Sequence, residues 1–409
     1  MSVLVVTRDL PYPPNAGDRV VTHGFLRALS VRGHAVHLLA YGGDDERDRA
    51  RALGDTCASV ALAANGTDDT PATVRKLRHW LSGRSDVMGM FDSPALRTGV
   101  RDRVRALDPD VVLAEHPYVA QVFRDEEVRD AVADADARLV TNAHVVEYDV
   151  HERYRELAPP RECAELAAEI PLLRREELAA YRASDRTLVL GREDRAELDD
   201  RVEDVRYQPV GLPVAEYDAL TGSEEPRLLF FGSYEWFPNR DAAAWLAEHF
   251  PKVRERRPDA ELVLAGRDAP ESVRALDDRP GVSVVGEVDD LAAEVSRAAV
   301  VVAPLRVGGG TRLKILESMA WGASVVTTPA GFEGVDARPG EDLLVADDAA
   351  SFVAGVVRLL DSPAERRRIG RNARERVAER YSIPRAGARL ERNLGLVDEP
   401  LRPTAGRPR

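Results

Sequence analysis

The sequence predicts an α/β protein with two doubly wound, parallel-sheet domains in series, and three observations carry that expectation. Short apolar runs alternate with helical patterns through the first half of the 409 residues. The Pro-, Gly- and acid-rich stretch PVGLPVAEYDALTGSEEP (209–226) then breaks the pattern and reads as a linker over 211–226. A second strand–helix series starts at 227 and runs to about 380.

In the first series, VLVVT (3–7) is a buried strand that ends in the loop PYPPNAGD. Asp18 is placed to cap a helix on which Val21, Phe25, Ala28 and Leu29 recur at helical spacing. Gly33 suits the left-handed position after that helix, and AVHLLAY follows as a strand. PDVVLAEH (109–116), ARLVTNAH (137–144) and TLVLG (187–191) are further parallel strands, and 150–183 is charged and helical. Together these define an N-terminal unit, 1–210. In the second series, RLLFFGS, AELVLAG, VSVVGEV, AVVVAPL, SVVTTPA and DLLVADD are six strand candidates. Helices follow at about 349–361 and 364–380, and a last one at about 381–396 is expected to pack back on the first domain. Residues 398–409 read as a disordered tail.

Composition narrows the function. A net charge of −13 argues against binding nucleic acid over the whole surface. Cys57 and Cys163 are the only cysteines, without CxxC or metal-ligand spacing, so neither a disulfide framework nor a metal site is expected. No signal peptide or membrane span is read, and a cytoplasmic location is the expectation. Only Lys76, Lys252 and Lys314 are lysines among 57 basic residues. An acidic, Arg-rich surface suits a salty cytoplasm, and a GC-rich genome would favour Arg as well.

The chemistry concentrates in PLRVGGGTRLKILESMAWGASVVTTPAG (304–331). A strand ends at Leu305, three glycines follow, and Thr311 is placed to cap a helix reaching Trp321, with Leu313, Leu316 and Ala320 toward the sheet. Glycine lets the backbone approach a ligand, and a helix start favours an anion by roughly 0.3–1 kcal/mol. Arg312 and Lys314 add two cations in the first turn, a combination that suits a diphosphate. Glu317 lies one turn deeper on the same face as Lys314, where a carboxylate accepts from the vicinal hydroxyls of a ribose. The plainer alternative is a glycine turn followed by a solvated Lys–Glu pair. Neither GxxxxGK[ST] nor GxGxxG fits, because Leu313 stands where each needs glycine.

The block GGGTRLKILESMAWGASVVTTPAGFEG, with FFGSYEWFPNRDAAAWL, LVLAG, VSVVGEVDDL and the PYPPNAGDR loop in order, resembles the retaining family-4 glycosyltransferases. The resemblance spans the chain and is strongest over 225–380. It implies a GT-B fold: two Rossmann-like domains facing a central cleft, the second binding a nucleotide-sugar donor. By resemblance Glu317 is the second glutamate of an E-x7-E motif that holds the ribose, and the first would fall on Gly309. Sugar recognition then passes to the amides of Gly309, Gly310 and Thr311, with Arg312 and Lys314 as diphosphate clamp and Arg240 as a further donor cation. Gly17 matches the glycine of the loop near donor and acceptor. His116 matches the histidine near the anomeric centre and, with Arg312 and Lys314, makes up the catalytic set. Asn142 and His144, with Glu147 in TNAHVVEYD, resemble an acceptor-side motif in altered order.

The resemblance further implies retention of anomeric configuration, a UDP- or GDP-sugar as co-substrate with no separate cofactor, and no metal. Asp289-Asp290 and Asp347-Asp348 read as helix caps rather than metal ligands. Acceptors of this kind are glycans or lipid-linked saccharides. VRKLRHWLSGR (74–84) is basic, with Val74, Leu77, Trp80 and Leu81 at helical spacing, as in a helix lying on an anionic membrane. Two other classes stay open: a sugar-nucleotide epimerase on the same fold, and a non-catalytic nucleotide-binding scaffold.

Overall fold

The computed structural model describes residues 1–64, 70–220 and 223–397; the expected tail at 398–409 lies outside them. The first sheet has seven parallel strands: β1 (Ser2–Thr7), β2 (Ala35–Tyr41), β3 (Ser59–Ala63), β4 (Val111–Glu115), β5 (Arg138–Ala143), β6 (Arg186–Val189) and β7 (Val205–Tyr207). Their order is β3-β2-β1-β4-β5-β6-β7. The second has β8 (Arg227–Phe231), β9 (Glu261–Ala265), β10 (Val282–Gly286), β11 (Val300–Ala303), β12 (Val325–Thr327) and β13 (Leu344–Val345), ordered β10-β9-β8-β11-β12-β13. Both sheets therefore carry one doubly wound order. All eleven strands named from the sequence are present, and β3 and β7 are additional.

Neighbouring residues of the central strands are buried on opposite faces. Val3 and Val5 join one apolar cluster, while Leu4 and Val6 join the other. Such double burial explains why these strands read as unbroken apolar runs. In a sheet of this order the chain reverses direction between β1 and β4, and again between β8 and β11. Loops leaving the strand ends there diverge and open a crevice, and the two crevices face each other.

The helices follow the expected series, with local corrections. The first, Gly17–Ser30, starts one residue before Asp18, with Ala16 as its cap position and no capping side chain. Asp18 is instead paired with Arg8 across the loop. The 150–183 region is two helices, Glu147–Arg155 and Pro160–Arg182. Asp290 and Asp348 do cap their helices, accepting from Ala293 and Ser351. The last helix, Ile383–Leu394, lies on Gly17–Ser30, and His34 Nε2 meets Glu391 Oε1 at 2.8 Å.

The segment before β8 packs closely as well. A Cβ on Gly24 would stand 2.2 Å from the Gly211 carbonyl, so the first helix and the connection cross at two glycines. The basic helix spans Ala72–Leu81, with Val74, Leu77 and Leu81 exposed by 55%, 54% and 80%. Trp80 does not join that stripe: its Nε1 donates to Glu169 at 2.5 Å. No helix among the described residues is long and apolar enough to cross a membrane.

Candidate active site

Both crevices open into one cavity of about 1190 Å³ between the sheets. Gly17, His116, His144, Gly309, Thr311, Arg312, Lys314 and Glu317 all line it, drawn from four separate stretches of chain. Arg240, Asn142 and Gly310 do not.

On the first wall, β4 ends at Glu115 and the chain turns at His116 with φ +80°, a strained value for a residue with a side chain. The His116 ring lies beside His144, centroids 3.8 Å apart, and stacks on Tyr118 at 5.3 Å. Burial, then the neighbouring His144 and Arg8, hold the pKa of His116 well below the usual histidine value, so the ring is neutral. Its Nδ1 is buried without a partner among the described residues. Beneath it, Glu115 Oε2 accepts from Asn142 Nδ2 at 2.8 Å and meets His144 Nε2 at 2.6 Å. Asn142 thus supports the carboxylate that orients His144 rather than facing the cleft.

The second wall carries the helix Leu313–Trp321. Its cap position is Arg312, not Thr311, and no side chain caps it. The Thr311 hydroxyl donates to the Leu190 carbonyl at 2.7 Å. Leu316 and Ala320 are buried as expected, while Leu313 reaches across the cleft to within 3.3 Å of where a Gly17 Cβ would be. That close approach is why glycine suits position 17.

Lys314 and Glu317 stand on this wall as the spacing predicts. Lys314 Nζ bonds Asn239 Oδ1 at 2.5 Å and sits 4.2 Å from the centre of the Phe230 ring. Burial, helped by Arg312, lowers its pKa to about 7. Burial raises Glu317 to about 7, against the Tyr217 hydroxyl that donates to it at 3.3 Å. The two are half-buried and one turn apart, and their hydrogen bonds go to the neutral Asn239 and Tyr217 side chains rather than to counter-charges.

Three expected donor contacts are corrected. The Arg312 guanidinium is buried and donates to the carbonyls of Gly309, Gly310 and Ala330, so it braces the glycine loop instead of standing free as a clamp. The Gly310 N–H is taken by Asp194 Oδ2 at 2.8 Å. Arg240 donates to the carbonyls of Tyr234 and Glu235 at 2.9 and 2.8 Å, closing its own loop. The glycines also have a role the sequence did not disclose. A Cβ on Gly310 would fall 1.9 Å from the His144 carbonyl, and one on Gly309 would fall 2.6 Å from Val150 Cγ2. A glutamate at 309 has no room in this packing.

Residues missed from the sequence include Arg8, Asp18, Tyr118, Tyr217 and Asn239, all lining the cavity. Tyr217 lies in the stretch read as a plain linker. A basic residue directly after β1, followed by an acid in the loop, was the one signal available for the Arg8–Asp18 pair.

Residues 225–362 match the family model described as glycosyl transferases group 1. The chain is 24% identical over 403 residues to an "uncharacterized 44.6 kDa protein in cps region" of Klebsiella pneumoniae, covering 93% of this chain and 96% of that one. It is 32% identical over 195 residues to a phosphatidyl-myo-inositol mannosyltransferase of Mycolicibacterium smegmatis, covering 45% of this chain and 50% of that protein. Among solved structures, Anabaena Alr3699/HepE in complex with UDP-glucose superposes with a TM-score of 0.68 at 12% identity, covering 97% of this chain and all of that one. The group 1 glycosyl transferase match thus falls on the second sheet and its loops, and two Rossmann-like sheets facing one cleft give the chain the GT-B fold.

Proposed function

We propose that this enzyme transfers a hexose-type sugar from a UDP- or GDP-linked donor to a glycan or lipid-linked saccharide, with retention of anomeric configuration. The observation that carries the reading is the pair Lys314 and Glu317, half-buried one turn apart on the wall of the cavity that Gly17 and His116 also line. In this reading 1–210 is the acceptor-side unit, 211–226 the linker and 227–380 the donor unit. Glu317 accepts from the ribose hydroxyls, and Lys314 at the positive end of the helix Leu313–Trp321 meets the diphosphate.

Departure of a nucleoside diphosphate gathers negative charge on its phosphate oxygens. A cation that is half-neutral in the empty site becomes fully charged against that group, so it stabilises the departing state more than the bound donor. The neutral His116 ring, with an unpartnered Nδ1, is suited to a sugar hydroxyl and not to a phosphate. Closure of the halves excludes water that would otherwise hydrolyse the donor. The UDP-glucose bound by the Anabaena protein and the mannosyl transfer named for the mycobacterial relative support this donor class.

Incubation with UDP-, GDP- and dTDP-hexoses and a mixed saccharide acceptor pool, followed by NMR of the product, tests it. An α-linked product from an α-linked donor is expected. An inverted product removes retention, donor interconversion without an acceptor favours an epimerase, and nucleotide binding without turnover favours a scaffold.

Peripheral membrane contact belongs to the same reading. The exposed Val74, Leu77 and Leu81 form the stripe, while Arg75 and Lys76 are paired with Asp86 and Glu165. The apolar residues, not these two cations, are therefore the ones to vary.

A further inference from the structure

The glycine loop on the donor wall is held from the opposite half of the molecule. Asp194 belongs to the short helix Arg192–Leu198, which follows β6 in the first sheet. It is buried, and its Oδ2 accepts the Gly310 N–H at 2.8 Å. Its Oδ1 lies 3.6 Å from where a Gly309 Cβ would be, so the carboxylate sits beside the last two of the three glycines. Gly308–Gly310 has no side chains with which to fix its own shape, and Gly310 adopts φ +63°. Its internal brace is Arg312, a buried guanidinium that needs a counter-charge. Glu333 supplies one at 3.4 Å, and Asp194 faces the same guanidinium from the other sheet.

The surrounding contacts run across the same seam. Thr311 donates to the Leu190 carbonyl at 2.7 Å, Gly334 N–H donates to Glu193 at 3.2 Å, and Arg153 pairs with Glu333 at 2.8 Å. At the mouth of the cleft Tyr154 stacks on Phe237 with centroids 3.7 Å apart. Of these, only Asp194 places a buried charge beneath the loop. Burial lifts its pKa to about 6, while Arg312 and the Gly310 N–H draw it down. Its carboxylate is thus largely ionised at neutral pH, and the bond to the amide is charge-assisted.

We propose that Asp194 is a positioning residue for the donor site, fixing the Gly308–Thr311 loop by its bond to Gly310 and its charge toward Arg312. Because it comes from the first sheet, the phosphate-side wall takes its binding shape only when the two halves are closed. Donor affinity is then coupled to closure through one carboxylate that does not itself touch the donor. This assignment rests on the donor-site reading given above.

The test measures UDP- and GDP-hexose affinity by calorimetry, alongside hydrogen exchange over residues 304–316, for wild type, Asp194→Ala, Asp194→Asn and Glu193→Ala. Asn retains a carbonyl acceptor for the Gly310 amide, and Glu193→Ala removes a neighbouring surface-side bond as a control. Asp194→Ala is expected to speed exchange in the loop and weaken the donor by about tenfold or more, with Asp194→Asn recovering part of both and Glu193→Ala near wild type. Wild-type affinity in Asp194→Ala, or weakened binding with unchanged loop exchange, would overturn the assignment. If wild type itself binds no sugar nucleotide, the donor-site reading fails, a result distinct from a defect confined to the Asp194 variants.

Discussion

Lys314 and Glu317 are held in the cleft against their own solvation. A half-buried ammonium lowered to about 7 and a half-buried carboxylate raised to about 7 give this cleft wall two groups that titrate near neutrality. At pH 8 Lys314 is mostly neutral and Glu317 mostly ionised, so binding a sugar nucleotide draws in close to one proton as the diphosphate recharges the lysine. At pH 6 Lys314 is already charged and Glu317 mostly neutral, so ribose binding to the carboxylate releases a proton instead. Calorimetry of a UDP- or GDP-hexose in two buffers of different ionisation enthalpy reads this as a change of sign between the two pH values, and Lys314→Met should abolish the uptake.

The same lysine costs stability. Its folded pKa lies below the unfolded value of 10.5, so the cost is complete below pH 7 and disappears as the pH rises toward 10.5. Lys314→Met should therefore raise the Tm of the free protein by a few degrees near pH 6, and by less near pH 9, while losing sugar-nucleotide binding. Arg312→Ala acts in the opposite direction: the loop carbonyls lose their donor, Glu333 and Asp194 lose a counter-charge, and about 2–4 kcal/mol of stability goes with them.

At the scale of elements, glycines decide which segments touch. The helix Pro363–Tyr381 crosses the end of Leu313–Trp321 where a Cβ on Gly370 would fall 1.9 Å from the Gly322 carbonyl. Gly370→Ala should destabilise by about 1–3 kcal/mol in denaturant titrations, against a small gain for the same change at an open helical site. The helix Ala72–Leu81 presents the opposite case, an apolar face at Val74, Leu77 and Leu81 that is exposed among the described residues. Replacing Val74, Leu77 and Leu81 by Ser should reduce co-sedimentation with anionic vesicles severalfold without moving Tm; unchanged co-sedimentation would remove the membrane contact.

Across the whole molecule, the parts that were legible in the sequence are those set by burial. Strands covered on both faces announce themselves as apolar runs, and the GGG-T-R-L-K-x-x-E spacing puts Lys314 and Glu317 one turn apart on a helix that lines the cavity. What escaped is set by tertiary packing. β3 has mostly half-buried Ser, Val, Ala and Leu, and β7 has three residues, so neither gives a periodic signal. Arg312, Gly310 and Arg240 carry the right chemistry for a phosphate, yet each spends it on the protein's own backbone or on Asp194. No spacing rule reports that a cation will turn inward to brace its own loop. Likewise Tyr217 enters the site only because the connection between the sheets passes behind Glu317.

The central claim is that the cleft wall around Lys314 and Glu317 binds the sugar nucleotide. Thermal shift of wild type, Lys314→Ala and Glu317→Ala with UDP-, GDP- and dTDP-sugars, at high and low salt, tests it most directly. One nucleotide series is expected to raise the wild-type Tm by several degrees and to leave both variants unmoved. A wild type that responds to none of them, or variants that respond as wild type does, would contradict it.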